Sequence, residues 1–377
     1  MDEMNKEKLS AEMREEDVRI EEKVTMKSNL DEDYEENQVF MTPGQMVMRR
    51  FFRNKLAVVG IAALLLMALF CFAGPLFYPY SETEIFYKSE AVNEKTGDYD
   101  YFRRVQTVNE NGITLNRYIN LNTGEYISEE LSKSIIVDVR AVPSSSHILG
   151  TNEMGQDMFA RLMYGGRISL MVGFIVVIVE IVIGTLMGGL AGYYGGKIDM
   201  LIMRIVEIFQ SIPFIPLMLI VSSFLVSMRV SPSSKIYYTM LIMGLIFWAG
   251  FARMIRGSLL QIREMEYMQA AEATGIRPMR KILKHMIPNV MPIIIVMSTM
   301  DLGAIILMES TMSFLGIGVG APYASWGNMV SAVNSTIVMR SCPYLWIPPG
   351  VCILITVVAF NFVGDGLRDA FDPKMKR

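Results

Sequence analysis

The chain has 377 residues, 52% of them hydrophobic and only 19% charged, against about 25% charged in an ordinary soluble domain. The apolar residues gather in blocks about 20 residues long, enough to carry a helix across the roughly 30 Å hydrocarbon core of a bilayer. That composition excludes a soluble enzyme and points to an all-α polytopic membrane protein; the net charge of −3 averages an acidic head against basic loops.

Cys71, Cys342 and Cys352 show no paired spacing, and His147 and His285 are the only histidines, so neither a disulfide framework nor a metal site is expected. The 32 methionines read as substitutes for leucine in core and lipid-facing positions.

In chain order, residues 1–45 form an acidic tail too poor in apolar residues to fold alone. It lacks the ordered basic, apolar and cleavage regions of a secretory leader, so the span after "MVMRRFFRNK" reads as a retained anchor. Six spans are predicted, at about 56–78, 168–191, 203–227, 236–252, 289–309 and 344–363. With the N-terminus inside, sixteen Lys and Arg residues flank the inner ends and three (Arg229, Lys235, Arg340) the short outer loops. This bias places both termini in the cytoplasm.

Segment 81–146 is then extracytoplasmic. It mixes Tyr, Val, Ile and Thr with the turn signals "NENG" (Asn109–Gly112) and "NTGE" (122–125), the pattern of a small β-hairpin-rich insert. The remaining divisions are 46–80 for the first span with its basic flank, 147–363 for the membrane core including the loop 253–288, and 364–377 for the tail.

No catalytic motif survives. "GYYGGK" (192–197) lacks a phosphate-binding loop's first Gly, which is Ala191, and its Ser/Thr, which is Ile198; it reads as a tight turn between spans. A chain of this kind transports downhill or borrows energy from a partner. Glu180, Asp301 and Glu309 lie within predicted spans, as do Arg204 and Glu207, and charges there are costly enough to suggest function. Glu180 and Asp301 could serve a proton-coupled carrier. The favoured reading is structural pairing, with Arg204 and Glu207 one helical turn apart.

The loop "EYMQAAEATGIRPMRKILKHMIPNVMP" (266–292) divides into two helices. "EYMQAAEAT" is rich in helix formers and Gly275 stands where a left-handed terminator is wanted. Pro278 suits a first helical turn. Met279, Ile282, Leu283, Met286 and Ile287 then form one apolar stripe, and Pro288 is expected to break the helix. Ala270 and Ala271 leave one side of the first helix bare, as a docking site would. A lipid-anchored connector fits these residues equally well.

The segment resembles the EAA loop of ABC-importer permeases, whose pattern is Glu-Ala-Ala, three residues, Gly, nine residues, then Ile-x-Leu-Pro or a close variant. Gln269, Ala270, Ala271 and Gly275 hold the first spacing, with Gln269 in place of the leading Glu and Glu272 beside the motif but outside its positions, and Ile287-Pro288 close it. The resemblance covers about 42–80 and 147–377. It includes "TPGQMVMRRFFRNKLAVVG", "HILGTNEMGQDMFARLMYGGRISLMVG", "MRIVEIFQSIPFIPL", "STMSFLGIGVGAPYASWGNM" and "NFVGDGLRDAFDP". These blocks are similar to the second, C-type permease of the dipeptide/oligopeptide/nickel importer family. Asn152 and Gln156 replace that family's usual Asp and Arg.

The resemblance implies a type I ABC-importer permease fold in a bacterial plasma membrane, surrounded by lipid. It implies a heterodimer with a second homologous permease, two cytoplasmic ABC ATPases gripping the EAA loops, and an extracytoplasmic substrate-binding protein. Peptide is the expected cargo, with nickel or another small solute as the alternative. This chain would hold no cofactor, since ATP and magnesium would bind the ATPases, and no nucleic-acid partner is expected. Phe314, Gly316, Tyr323 and Trp326 would form an outer-mouth segment, in which Tyr323 and Trp326 could equally be interface anchors. Asp365, Arg368 and Asp369 are expected on a short helix after the last span, as a structural cap.

Overall fold

A computed structural model describes residues 42–93, 98–108, 114–121, 123–127 and 135–372; all but the last four residues of the predicted acidic tail lie outside this set. The chain divides into two compact units, Met1–Arg50 and Phe51–Arg377. Helix α1 spans Pro43–Arg53.

Asn54 starts α2 (Lys55–Phe77). Its side-chain oxygen accepts from the N–H groups of Leu56 and Ala57 at 3.1 and 3.3 Å, satisfying donors that a helix start leaves bare. A π turn occupies Leu69–Ala73. Pro75 has no N–H to offer the Cys71 carbonyl four residues back. Arg167 supplies a donor there, its Nε 2.7 Å from Cys71 O, and its Nη2 lies 2.9 Å from Phe72 O.

The insert folds as an antiparallel sheet of β1 (Phe86–Ser89), β2 (Tyr101–Val108), β3 (Thr114–Asn120) and β4 (Ile135–Val137), in the order β3-β2-β1-β4. The β2–β3 pair has Val105 opposite Arg117, and the predicted turn at 109–112 between the two strands lies outside the described residues. At the second predicted turn Gly124 has φ +71° and donates to Asn120 O at 2.8 Å. Phe86 secures the sheet to the helical core, its N–H 2.8 Å from Gly155 O and its ring 4.5 Å from that of His147.

Helix α3 (Met158–Tyr194) begins ten residues before the apolar block that announced it. Arg161, Gly165 and Gly166 lower the local hydropathy, yet all three are buried. The predicted third span is two helices, α4 (Gly196–Ser211) and α5 (Phe214–Ser227), bent by 77°. Pro213 cannot donate, and Ile212 before it is extended, as the residue preceding a proline prefers. Helix α6 (Pro232–Arg263) leads to α7 (Glu266–Ala273) and then α8 (Pro278–Phe314). Short helices α9 (Trp326–Val330) and α10 (Thr336–Ser341) precede α11 (Pro343–Phe371). Among the described residues, five helices, with the bent pair counted as a sixth, are long and apolar enough to span a membrane. Asp365, Arg368 and Asp369 sit on the unbroken end of α11 rather than on a separate helix. Asp369 Oδ2 accepts from the Asn54 amide at 3.3 Å, so that end braces the residue capping α2.

Helices α3 and α6 meet along Gly184, Gly188 and Gly192. A Cβ at Gly184 would fall 2.9 Å from Phe251 Cδ1, and one at Gly192 2.8 Å from Leu259 Cβ; at Gly188 it would overlap Ala252 O. Small residues at this spacing let two membrane helices approach backbone to backbone. Gly188→Val should therefore abolish stable, detergent-extractable protein. Gly350→Ala, where nothing lies within 4 Å, should leave thermal stability unchanged or raised by about 1 kcal/mol, as read from a melting curve of the solubilised protein.

Candidate functional site

The loop joining α6 to α8 is built from the residues the sequence singled out. Helix α7 ends in two hydrogen bonds that wrap its last turn, Gly275 N–H to Glu272 O at 3.0 Å and Ile276 N–H to Ala271 O at 3.3 Å. That pair defines a Schellman terminus and needs a left-handed residue at Gly275, where φ is +71°. Pro278 opens α8 as predicted. Among the described residues beyond its two neighbours, none lies within 4 Å of the place a Gly275 Cβ would take. An open depression of about 580 Å³ spreads there, lined by Thr274, Gly275, Ile276, Arg277, Met279 and Arg280.

Three expectations for the loop fail. Ala271 does not face outward: with Met268 it is buried, while Gln269, Ala270 and Glu272 are exposed. Met279 and Leu283 are more than half exposed, and the buried line runs Ile282, Met286, Val290, Ile294. The cause is a π turn over Ile282–Met286, which alters the angular step so that the 3.6-residue pattern no longer marks the inner face. Pro288 does not break the helix, because widening immediately before a proline relieves the clash with a preceding carbonyl. Ile287 is half-buried and Pro288 exposed.

Met268, Ile282 and Met286 pack with Phe251, Ile255 and Leu259 of α6 in a common core, with Tyr193 at its edge. Tyr193, which sequence reasoning passed over, joins the loop to α3. Lys281 Nζ lies 5.5 Å from its ring centroid, and Arg263 Nη1 is 3.5 Å from its carbonyl. The alternation of charge and aromatics gave no signal, since the partners are nearly 90 positions apart in sequence. At the next turn Arg256 grips Asp199 with both Nε and Nη2, the latter 2.6 Å from Oδ2. Gln269 donates from Nε2 to Glu264 O at 3.3 Å, a contact a Glu there could not make while ionised.

At the opposite end of the bundle, Glu309 is buried. It accepts from Ser169 Oγ at 3.1 Å and Ser313 Oγ at 2.6 Å, tying α3 to α8, which fits a structural role. Glu180 is 6% exposed, and Asp301, half-buried on α8, is close enough to act on it electrostatically. Arg204 and Glu207 pair at 2.7 Å, as their spacing predicted.

Trp326 is fully buried and so is not an interface anchor. Its Nε1 donates to Leu162 O at 2.9 Å, and its ring occupies the space left by Gly166. Tyr323 and Phe314 are half-buried, and Gly316 (φ +76°) ends α8 with the same terminal motif as Gly275. Arg161 holds this segment down, donating to Pro322 O at 2.9 Å, Glu82 O at 3.1 Å and Gln156 Oε1 at 2.7 Å. Burial pushes the Glu82 carboxyl above its ordinary pKa, opposed by the Ala324 N–H and by Arg161. Asn152 Nδ2 donates to Gln156 Oε1 at 3.0 Å, so the two residues that depart from the resembled pattern are partners. Nearby, His147 and Asp157 form a buried pair at 2.8 Å, joined by the Tyr78 hydroxyl at 3.1 Å.

Residues 181–377 match the family model for the binding-protein-dependent transport system inner membrane component. Residues 42–94 match that for the N-terminal TM domain of oligopeptide transport permease C. The oligopeptide transport system permease protein OppC of Haemophilus influenzae is 32% identical over 330 residues, covering 88% of each chain. OppC of Bacillus subtilis is 30% identical over 330 residues, 88% of this chain and 89% of that one. The dipeptide transport system permease protein DppC of Bacillus subtilis is 41% identical over 235 residues, 62% of this chain and 71% of that one.

Burial separates the two alanines of the loop. Ala271→Gln should loosen α7 from its core and raise the rate of tryptic cleavage after Arg280 and Lys281 severalfold. Ala270→Gln, on the exposed side, should leave that rate unchanged.

Proposed function

Because the chain belongs to the family of binding-protein-dependent transport system inner membrane components, we propose that it is one permease of an ATP-driven peptide importer. It pairs with a second permease, receives peptide from an extracytoplasmic binding protein, and is driven by two cytoplasmic ATPases. ATP and magnesium bind those ATPases and not this chain. Both termini and the loop 253–288 face the cytoplasm, in keeping with the Lys and Arg distribution, and the β insert faces outward.

The observation that carries the reading is the α7–α8 turn. Gly275 fixes its shape, Gln269, Ala270 and Glu272 are exposed on α7, and the depression beside Gly275 lies open. Beneath them Ala271 is buried and Met268 packs into the core that α6 and α8 share, so a load applied to α7 moves those spans together. Rotation of packed helices as rigid bodies is an established way of switching access.

Oligopeptide is the favoured cargo over dipeptide. The matches to the two OppC proteins cover 330 of 377 residues and must run through 81–146, whereas the DppC match is shorter by nearly a hundred residues.

Gly275→Val should cost about 1–2 kcal/mol in the left-handed turn and fill the depression, so the variant should reach the membrane yet lose its ATPase on co-purification. Ala270→Arg should do the same by bulk alone. Normal ATPase retention and peptide uptake in both variants would refute the docking assignment. Uptake by this chain alone in liposomes under a pH gradient would instead favour a proton-coupled carrier using Glu180 and Asp301.

A further inference from the structure

Helix α4 shows two different exposed faces. Ile202 and Val206 are buried, and the Phe209 ring packs 5.4 Å from that of Trp248. Of the remaining positions, Leu201, Ile205 and Ile208 form one exposed apolar line, while Arg204, Glu207 and Ser211 form an exposed polar one. Both lines repeat at helical spacing. The first suits hydrocarbon and the second does not.

Depth sharpens the contrast. Trp248 lies within the predicted span 236–252 of α6, so the Phe209 contact places the far end of α4 inside the membrane. At a rise of 1.5 Å per residue, Glu207 and Arg204 lie only about 3 and 8 Å along α4 from that level. Arg204 is 73% and Glu207 51% exposed at the side chain. Charges at such depth almost always face protein or a water-filled cavity. An arginine serving lipid headgroups would reach back toward the near end of its helix. Arg204 does the reverse, bonding Glu207 one turn deeper.

A second line adjoins the first. On α6, Gly250, Arg253, Gly257 and Gln261 are exposed at helical spacing. A Cβ at Gly250 would lie 3.8 Å from Gln210 Nε2 of α4, and nothing lies within 4 Å of one at Gly257. Packing within the chain does not require these two glycines, which leave room beside a row of polar groups.

We propose that this trough, Arg204–Glu207–Ser211 of α4 beside Gly250–Arg253–Gly257 of α6, lines the cytoplasmic end of the water-filled solute path. There Glu207 can meet the ammonium end of a passing peptide and Arg204 its carboxylate end, one after the other. The inference rests on the peptide-permease reading for its solute, but not on the assignment of the ATPase docking loop.

The test is thiol accessibility in membranes carrying the whole transporter, in a Cys71→Ala, Cys342→Ala, Cys352→Ala background. Single variants Arg204→Cys, Glu207→Cys, Ser211→Cys and Gly250→Cys are compared with Ile205→Cys and Ile208→Cys, using anionic and cationic membrane-impermeant methanethiosulfonates. The polar set should react at least about tenfold faster than the apolar pair, and the anionic reagent should be favoured at Glu207→Cys and the cationic one at Arg204→Cys by a few-fold through the charge left behind. Penta-alanine with free termini, supplied with ATP and the binding protein, should slow the reaction at Glu207→Cys at least about twofold. Equal rates on the two faces, or a polar set as inert as Ile208→Cys, would overturn the path assignment. Ser211→Cys and Gly250→Cys decide this even if loss of the ion pair prevents assembly. An unchanged reagent preference between Arg204→Cys and Glu207→Cys, or no slowing by penta-alanine, would overturn the peptide-binding role. ATPase co-purification, measured in the same membranes, reports separately on the docking loop.

Discussion

Backbone-to-backbone contact between α3 and α6 is the constraint on which the rest of the helical unit depends. Gly184, Gly188 and Gly192 bring the two axes so close that Phe251, Ala252 and Leu259 occupy the places of missing side chains. In a bilayer, apolar side chains gain little by leaving lipid for one another, so close packing of small residues has to hold helices together. Once α3 and α6 are joined, α4 has one groove to enter, against Ala191, Trp248, Ala249 and Ala252. Helix α8 then completes the core around the start of the loop.

Proline sets the second pattern. Without water, a backbone carbonyl deprived of its donor must find another, and the chain answers differently at each site. Beside Pro75 a π turn and the Arg167 guanidinium serve the freed carbonyl of Cys71. Before Pro288 a π turn lets α8 continue unbroken. At Pro213 the helix ends and α5 departs at 77°. A proline in an apolar block therefore does not itself say whether a helix stops. The outcome depends on whether the local widening, or a donor distant in the sequence, is present.

This explains which features could be read from the sequence. The spans, the hairpin-rich insert, the Arg204–Glu207 pair and the Gly275 turn depend on composition or on residues a few positions apart, and the structure contains each. The inner face of α8 is not legible from periodicity, which assumes a constant angular step that the π turn at Ile282–Met286 violates. Ala271 was misplaced because an alanine has no polarity to show which way it faces. Trp326 was ambiguous because an aromatic residue after a Gly-rich stretch suits an interface and a core alike. Only the gap at Gly166, 160 positions earlier, decides it. Asn152 and Gln156 looked like two separate departures, whereas their hydrogen bond makes them one paired replacement.

The continuity of α6 relates the two ends of the proposed mechanism. Its 32 residues run unbroken from Pro232 to Arg263, so Gly250, Arg253 and Gly257 belong to the same rigid rod that ends at α7. Arg256, on a neighbouring face between them, holds Asp199 at the start of α4, and four residues beyond Asp199 comes Met203, followed by Arg204 and Glu207. A displacement of α7 thus reaches both walls of the polar trough through one helix and one bidentate ion pair, without bending either. In the proposed reading, docking at the loop and exposure of the trough are therefore linked through α6.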